Sequence, residues 1–163
     1  MKLPPDWRSF IASLCANKVR FVIVGAHALA VHGRPRATQD LDILVAPTEA
    51  NARRVAAALD DFGFSSLARA WRRFTREDCF ARLGLPPLQI DVLTSITGVT
   101  FAAAWRGRVM VDLDGLQVPF LGEAELRRNK AATGRAKDAL DLELLGPPLR
   151  RPAHAPRGGR RRK

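Results

Sequence analysis

Three aspartates in this chain have the type and spacing to do chemistry together. Asp40 and Asp42 sit two apart at the head of the apolar run Asp40–Val45 (DLDILV), and Asp91 lies inside a second apolar run, LQIDVL at 88–93. Side chains alternate across a strand, so residues two apart share a face. Asp40 and Asp42 therefore point one way, and Leu41 and Ile43 the other. Carboxylates that close repel each other unless a cation or a proton intervenes. A hard divalent cation such as Mg²⁺ takes oxygen ligands, commonly one or two carboxylates plus substrate phosphates. If the strand at 88–93 lies beside the strand at 40–45, Asp91 joins the pair. Three such groups can hold one or two ions and clamp a phosphoryl displacement, and Asp91 can accept the proton of an attacking hydroxyl. The competing reading of Asp91 is an ion pair with one of the many arginines.

Other residues fall around this set. Gly25-Ala26 turns the chain out of an apolar run into a helix-like segment, an arrangement that offers backbone N–H groups to a phosphate. Arg34, Arg36 and Thr38 lead into the D-x-D. They either steer phosphates or support the acids, Arg36 serving in the second case as a counter-ion to the carboxylates. Lys130, Arg135 and Lys137 are cations near the C-terminal end, followed by Asp138 and Asp141 on one helical face. Lys130 and Lys137 read equally as phosphate ligands and as a solvated, salt-bridged face. His27 and His32 are five apart, a poor spacing for two ligands, so His27 is expected to pack or edge a pocket. No H-E-x-x-H, G-x-x-x-x-G-K-[ST] or G-x-S-x-G occurs, which removes zinc-protease, P-loop and serine-hydrolase readings.

The elements that must position these groups follow from periodicity. Helices are expected over Pro5–Ala16 (Asp6 as N-cap), 26–32, 48–62 closed by Gly63, 99–105, 123–132 and Ala136–Leu145. Strands are expected over 20–24, 40–45 and 88–93, with a hairpin of 108–113 and 116–121 about Asp114-Gly115. Residues 64–87 have no clear period. The class is α/β or α+β with a small mixed sheet. Arg69, Arg72, Arg73 and Arg76 interleave with Trp71 and Phe74. That pattern fits either single-stranded nucleic acid or a helix with an exposed basic face.

The 163 residues suit one domain over 1–146 with a basic tail over 147–163. The net charge of +11 is concentrated in that tail, which holds seven basic residues and no acid and leaves 20 basic against 16 acidic residues elsewhere. Its Pro, Gly and Arg content predicts disorder, with either phosphate binding or solubility as its use. Cys15 and Cys79 have no metal-type spacing, and a reduced, cytoplasmic setting is expected. No apolar run is long enough for a membrane span, and no signal peptide is expected.

Gly25-Ala26, Asp40-Leu41-Asp42 and Asp91 together resemble the signature of the DNA polymerase β-like nucleotidyltransferase superfamily. The stretches VGAHALAVHGRPRATQDLDILV, PPLQIDVLTSITGVTF and NKAATGRAKDALDLELL are similar to small stand-alone bacterial members, including nucleotidyltransferase-type toxins of toxin–antitoxin and abortive-infection systems. The likeness spans residues 17–145. It implies that Asp40, Asp42 and Asp91 bind Mg²⁺ or Mn²⁺ and carry catalysis. It further implies that Gly25, Ala26, Arg36, Thr38, Lys130 and Lys137 bind an NTP. The nucleotidyl group would go to a tRNA 3′ end, a protein hydroxyl or a small molecule, and a cognate antitoxin or toxin would be a partner. The alternative is an inactive nucleotide- or RNA-binding module on the same fold. Ala26 stands where many members have Ser or Gly, so phosphate binding there would rest on backbone N–H groups and basic side chains.

Overall fold

The computed structural model describes residues 3–147, and from residue 148 onward the basic tail lies outside the described residues. Helix α1 (Pro5–Ala16) starts two residues earlier than an Asp6 cap would allow, because Pro5 fits the first helical position, where no N–H is needed. Asp6 stands instead in the first turn, near the positive end of the helix. After β1 (Phe21–Ile23), Gly25 opens the two-turn helix α2 (Gly25–Val31). Strand β2 (Asp40–Val45) is followed by α3 (Glu49–Asp61), capped by the Thr48 side chain accepting from the Asn51 N–H. The unassigned stretch folds as α4 (Ser65–Arg69), a 3-10 turn (Trp71–Thr75) and a strand, β3 (Phe80–Leu83). Then come β4 (Gln89–Leu93), α5 (Phe101–Gly107), and the hairpin β5 (Val109–Leu113) and β6 (Leu116–Phe120). Asp114 (φ +54°) and Gly115 (φ +86°) both take the left-handed conformation that a two-residue hairpin turn requires. Helices α6 (Glu123–Thr133) and α7 (Ala136–Leu145) complete the chain.

The fold is α+β. Among the described residues, six strands form one mixed sheet in the order β3-β4-β2-β1-β6-β5. β2 runs parallel to β4 and antiparallel to β1, while β6 runs parallel to β1. One face carries Phe21, Ile23, Leu41, Ile43, Ala81, Leu83, Ile90, Val92 and Phe120, all buried under α1, α3 and the 64–75 segment. The opposite face is divided. Val22 and Leu44 lie under Ala28, Leu29, Val99, Ala104, Leu126 and Leu145, from α2, α5, α6, α7 and the loop before α5. Asp40, Asp42 and Asp91, at the other end of their strands, open onto a cleft. Asn51 ties β1 to the end of β2, accepting from the Arg20 N–H at 2.7 Å and donating to the Arg20 and Ala46 carbonyls at 3.1 Å. Among the described residues no helix is long and apolar enough to cross a membrane.

Candidate active site

The parallel β2–β4 register places Asp42 directly opposite Asp91 and Asp40 opposite Gln89. Strand alternation does the rest: Asp40, Asp42 and Asp91 each offer a carboxylate oxygen within 4.8 Å of the others. Leu41, Ile43, Ile90 and Val92 fix the acids by burying the reverse face. The acids floor a cleft of about 740 Å³ between β3, the 36–39 loop and the α6–α7 corner.

Asp42 carries the strongest electrostatic signature. Its carboxyl is pushed up to about 6, first by burial and then by the charges of Asp40 and Asp91, with Lys137 and Lys130 pulling the other way. A carboxylate so disfavoured by its neighbours is one that a divalent cation would relieve, and the donor set is all oxygen. The three residues therefore fit a hard divalent ion. Gly25 abuts this group. It has φ +65°, and a Cβ there would lie 2.1 Å from Asp42 Oδ2. Only a glycine allows that backbone to approach the carboxylate so closely. With α2 just seven residues long, space rather than helix dipole is what Gly25 contributes.

Asp91 has company that periodicity does not reveal. Arg82 donates to both of its oxygens, from Nε at 3.0 Å and from Nη2 at 3.1 Å, and Gln89 Nε2 lies 3.1 Å from each. The ion pair expected as the competing reading of Asp91 is thus present in the same place as the acid cluster. Arg82 was hidden because β3 itself was; its register partner is Asp91. Phe80, also on the cleft face of β3, was missed for the same reason. Thr38 Oγ1 donates to Asp40 Oδ1, holding the first acid in place.

The cations divide into two groups. Arg36 does not pair with Asp40, Asp42 or Asp91. Its guanidinium meets Asp141, with Nε at 2.9 Å, so the counter-ion role expected for it is directed at a different carboxylate. The Lys130 ammonium is buried between Asp138 (2.5 Å) and Asp141 (2.8 Å). Thr133 donates to the other oxygen of Asp138 at 2.5 Å. Burial pushes Asp138 up, but the hydrogen bonds from Lys130 and Thr133 and the nearby lysine charges prevail, leaving it below the usual carboxylate range. The expected solvated face is therefore an internal network joining α6, α7 and the loop before β2. Lys137 and Arg135 also line the cleft, and among the described residues neither makes an ion pair.

His27 packs its ring edge-on against Trp7, with centroids 5.1 Å apart. Burial lowers its pKa against the raising influence of Asp40. Phe74 is fully buried, and Trp71 lies under the guanidinium groups of Arg53 and Arg72, so the interleaved aromatic segment is not an open stacking surface.

The fold is shared with a solved structure from Thermotoga maritima, a provisionally assigned nucleotidyltransferase. It superimposes with a TM-score of 0.55 over 84% of this chain and 88% of that one, at 17% identity. At that identity the likeness is one of fold. No protein-family model matches the sequence, and no curated protein matches it significantly.

Proposed function

We propose that the protein is a metal-dependent nucleotidyltransferase that moves a nucleotidyl group from an NTP to a hydroxyl acceptor. The single observation that carries this reading is the Asp42–Asp91 register pair, with Asp40 on the same face and Gly25 against Asp42. Asp40, Asp42 and Asp91 would hold Mg²⁺ or Mn²⁺. When bound, the ion supplies charge neutralisation for the triphosphate and for charge developing at the α-phosphorus. Gly25 and Ala26 leave room for the triphosphate beside Asp42, and Lys137 is the cation placed to meet it. Asp91 accepts the proton of the acceptor hydroxyl. The acceptor oxygen forms a bond to the α-phosphorus, the bond from that phosphorus to the β-phosphate oxygen breaks, and pyrophosphate leaves. Arg36 and Lys130 act by holding α7 against the cleft. A tRNA 3′ end or a protein side chain is the acceptor, and service in a toxin–antitoxin or phage-defence pair is the biological role this suggests.

A second reading has one observation in its favour. Arg82 and Gln89 engage both oxygens of Asp91, which suits a nucleotide- or RNA-binding module without turnover. The two readings separate when α-³²P and γ-³²P NTPs are offered with Mg²⁺ to bulk tRNA and to lysate protein. Catalysis predicts label on the acceptor from the α position only, absent with the Asp40→Ala/Asp42→Ala double variant. Folded protein that transfers no label from any NTP supports the binding module.

A further inference from the structure

Strand β3 alternates its side chains. Ala81 and Leu83 enter the core, while Phe80 and Arg82 face the cleft. Phe80 is 43% exposed and belongs to neither hydrophobic cluster. A phenylalanine gains about 1.5–3 kcal/mol from full burial, so folding alone gives little reason for one at the mouth of a polar cleft. The other accessible aromatic surfaces are already occupied. Trp71 lies beneath Arg53 and Arg72, and Phe101 stacks on Trp105. Phe80 has no aromatic partner among the described residues and carries a single guanidinium, that of Arg82, over its ring at 5.1 Å from the centroid, where Trp71 carries two.

Its position is specific. Phe80 pairs in register with Leu93, one pleat repeat from the Arg82–Asp91 pair. β3 is the edge strand on the side of the sheet away from β1 and Gly25. The ring therefore neighbours the third carboxylate, across the cleft floor from the proposed triphosphate position. Arg73 reaches in from the preceding turn and donates to the Phe80 carbonyl at 2.8 Å. Arg72 and Arg76 on the same turn are exposed.

A flat apolar ring with one planar cation over it and 43% of its surface still exposed, bordered by arginines, matches an unpaired base flanked by phosphates. We infer that Phe80 and Arg82 form a stacking platform for the terminal base of a single-stranded nucleic acid, whose 3′ hydroxyl is thereby set beside Asp91. This rests on the nucleotidyl-transfer reading and names its acceptor class.

The test uses short single-stranded RNA with 2-aminopurine at its 3′ end, titrated without NTP into the wild type, Phe80→Leu and Phe80→Trp. Stacking quenches the probe in the wild type. Phe80→Leu binds about tenfold more weakly with little quenching, Phe80→Trp restores both, and the thermal midpoint does not move because the ring lies outside the core. Equal affinity and equal quenching in Phe80→Leu would overturn the inference. So would a Phe80→Leu effect confined to the KM for NTP, which moves the ring to the nucleotide, or Phe80-dependent binding of a tyrosine-containing acidic peptide instead of RNA. If Phe80→Leu lowers the thermal midpoint, Phe80→Trp decides alone: strong quenching supports the platform, and unquenched binding removes it. RNA binding through Phe80 without any nucleotide transfer leaves the platform standing and removes the transferase reading. Transfer indifferent to Phe80 does the reverse.

Discussion

Asp42 ionises less readily in the metal-free fold than in an unfolded chain, because burial and two neighbouring carboxylates push it up to about 6 from an ordinary 3.8. A raised folded-state pKa contributes stability that is present at low pH and lost as pH rises through the folded value. The displacement corresponds to about 3 kcal/mol withheld from the metal-free protein above pH 6. Asp42→Asn should therefore stabilise the EDTA-treated protein by an amount approaching this at pH 8. The gap should shrink towards pH 4, as read from urea midpoints across that range. Saturating Mg²⁺ should reverse the order, because only the wild type keeps the full ligand set. Gly25→Ala acts on the same atom from the backbone side. Its Cβ would collide with Asp42 Oδ2 at 2.1 Å from a left-handed φ. A loss of at least about 2 kcal/mol in chemical denaturation is expected, together with weaker Mn²⁺ binding by electron paramagnetic resonance.

At the scale of elements, α6 and α7 are joined by charge as well as by apolar packing. Lys130 stands between two nearly inaccessible carboxylates, and Arg36 brings the loop before β2 to the same network. Removing one partner of a buried pair leaves the other charge uncompensated, at a cost of about 3–5 kcal/mol. Lys130→Met should lose that much in urea denaturation at pH 7. The depressed Asp138 pKa gives stability present above the ordinary carboxylate range and lost as pH falls through the lower folded value. The penalty of Lys130→Met should accordingly fade in acid. Little of this was visible beforehand, because Lys130 and its partners lie on separate helices whose meeting depends on the Gly134 turn, at φ +64°. By contrast, Asp40 and Asp42 sharing a face followed from strand alternation alone. β3 was unreadable for a local reason: four residues carrying an exposed Phe and an exposed Arg have no hydrophobic period beyond two short positions. With β3 went Arg82 and Phe80, the residues that most alter the picture of the site.

At the scale of the whole molecule, the sheet separates stability from chemistry. One face is closed by α1 and α3, and the other is closed only over the end near Val22 and Leu44. The acids occupy the open end of the strands that the closed face holds rigid. This division was partly legible, since the apolar residues alternating with the acids had to face a core. The parallel pairing of β2 with β4 was not, because register across 50 residues depends on the crossover between them. Arg82 adds a prediction at this scale. Because it holds Asp91 in place on the acceptor side of the cleft, Arg82→Lys should keep NTP affinity while slowing turnover, since a single ammonium cannot reproduce two parallel hydrogen bonds to a carboxylate. A steady-state kcat and KM pair checks this.

The measurement that tests the central proposal most directly is pyrophosphate release as Mg²⁺ is titrated, with NTP and an RNA or protein acceptor present, for the wild type and Asp91→Asn. The account predicts release that requires both metal and acceptor, and that falls about 10²–10⁴-fold in the variant with its proton acceptor removed. Equal release by folded wild type and Asp91→Asn, or none from the wild type with any NTP, would contradict it.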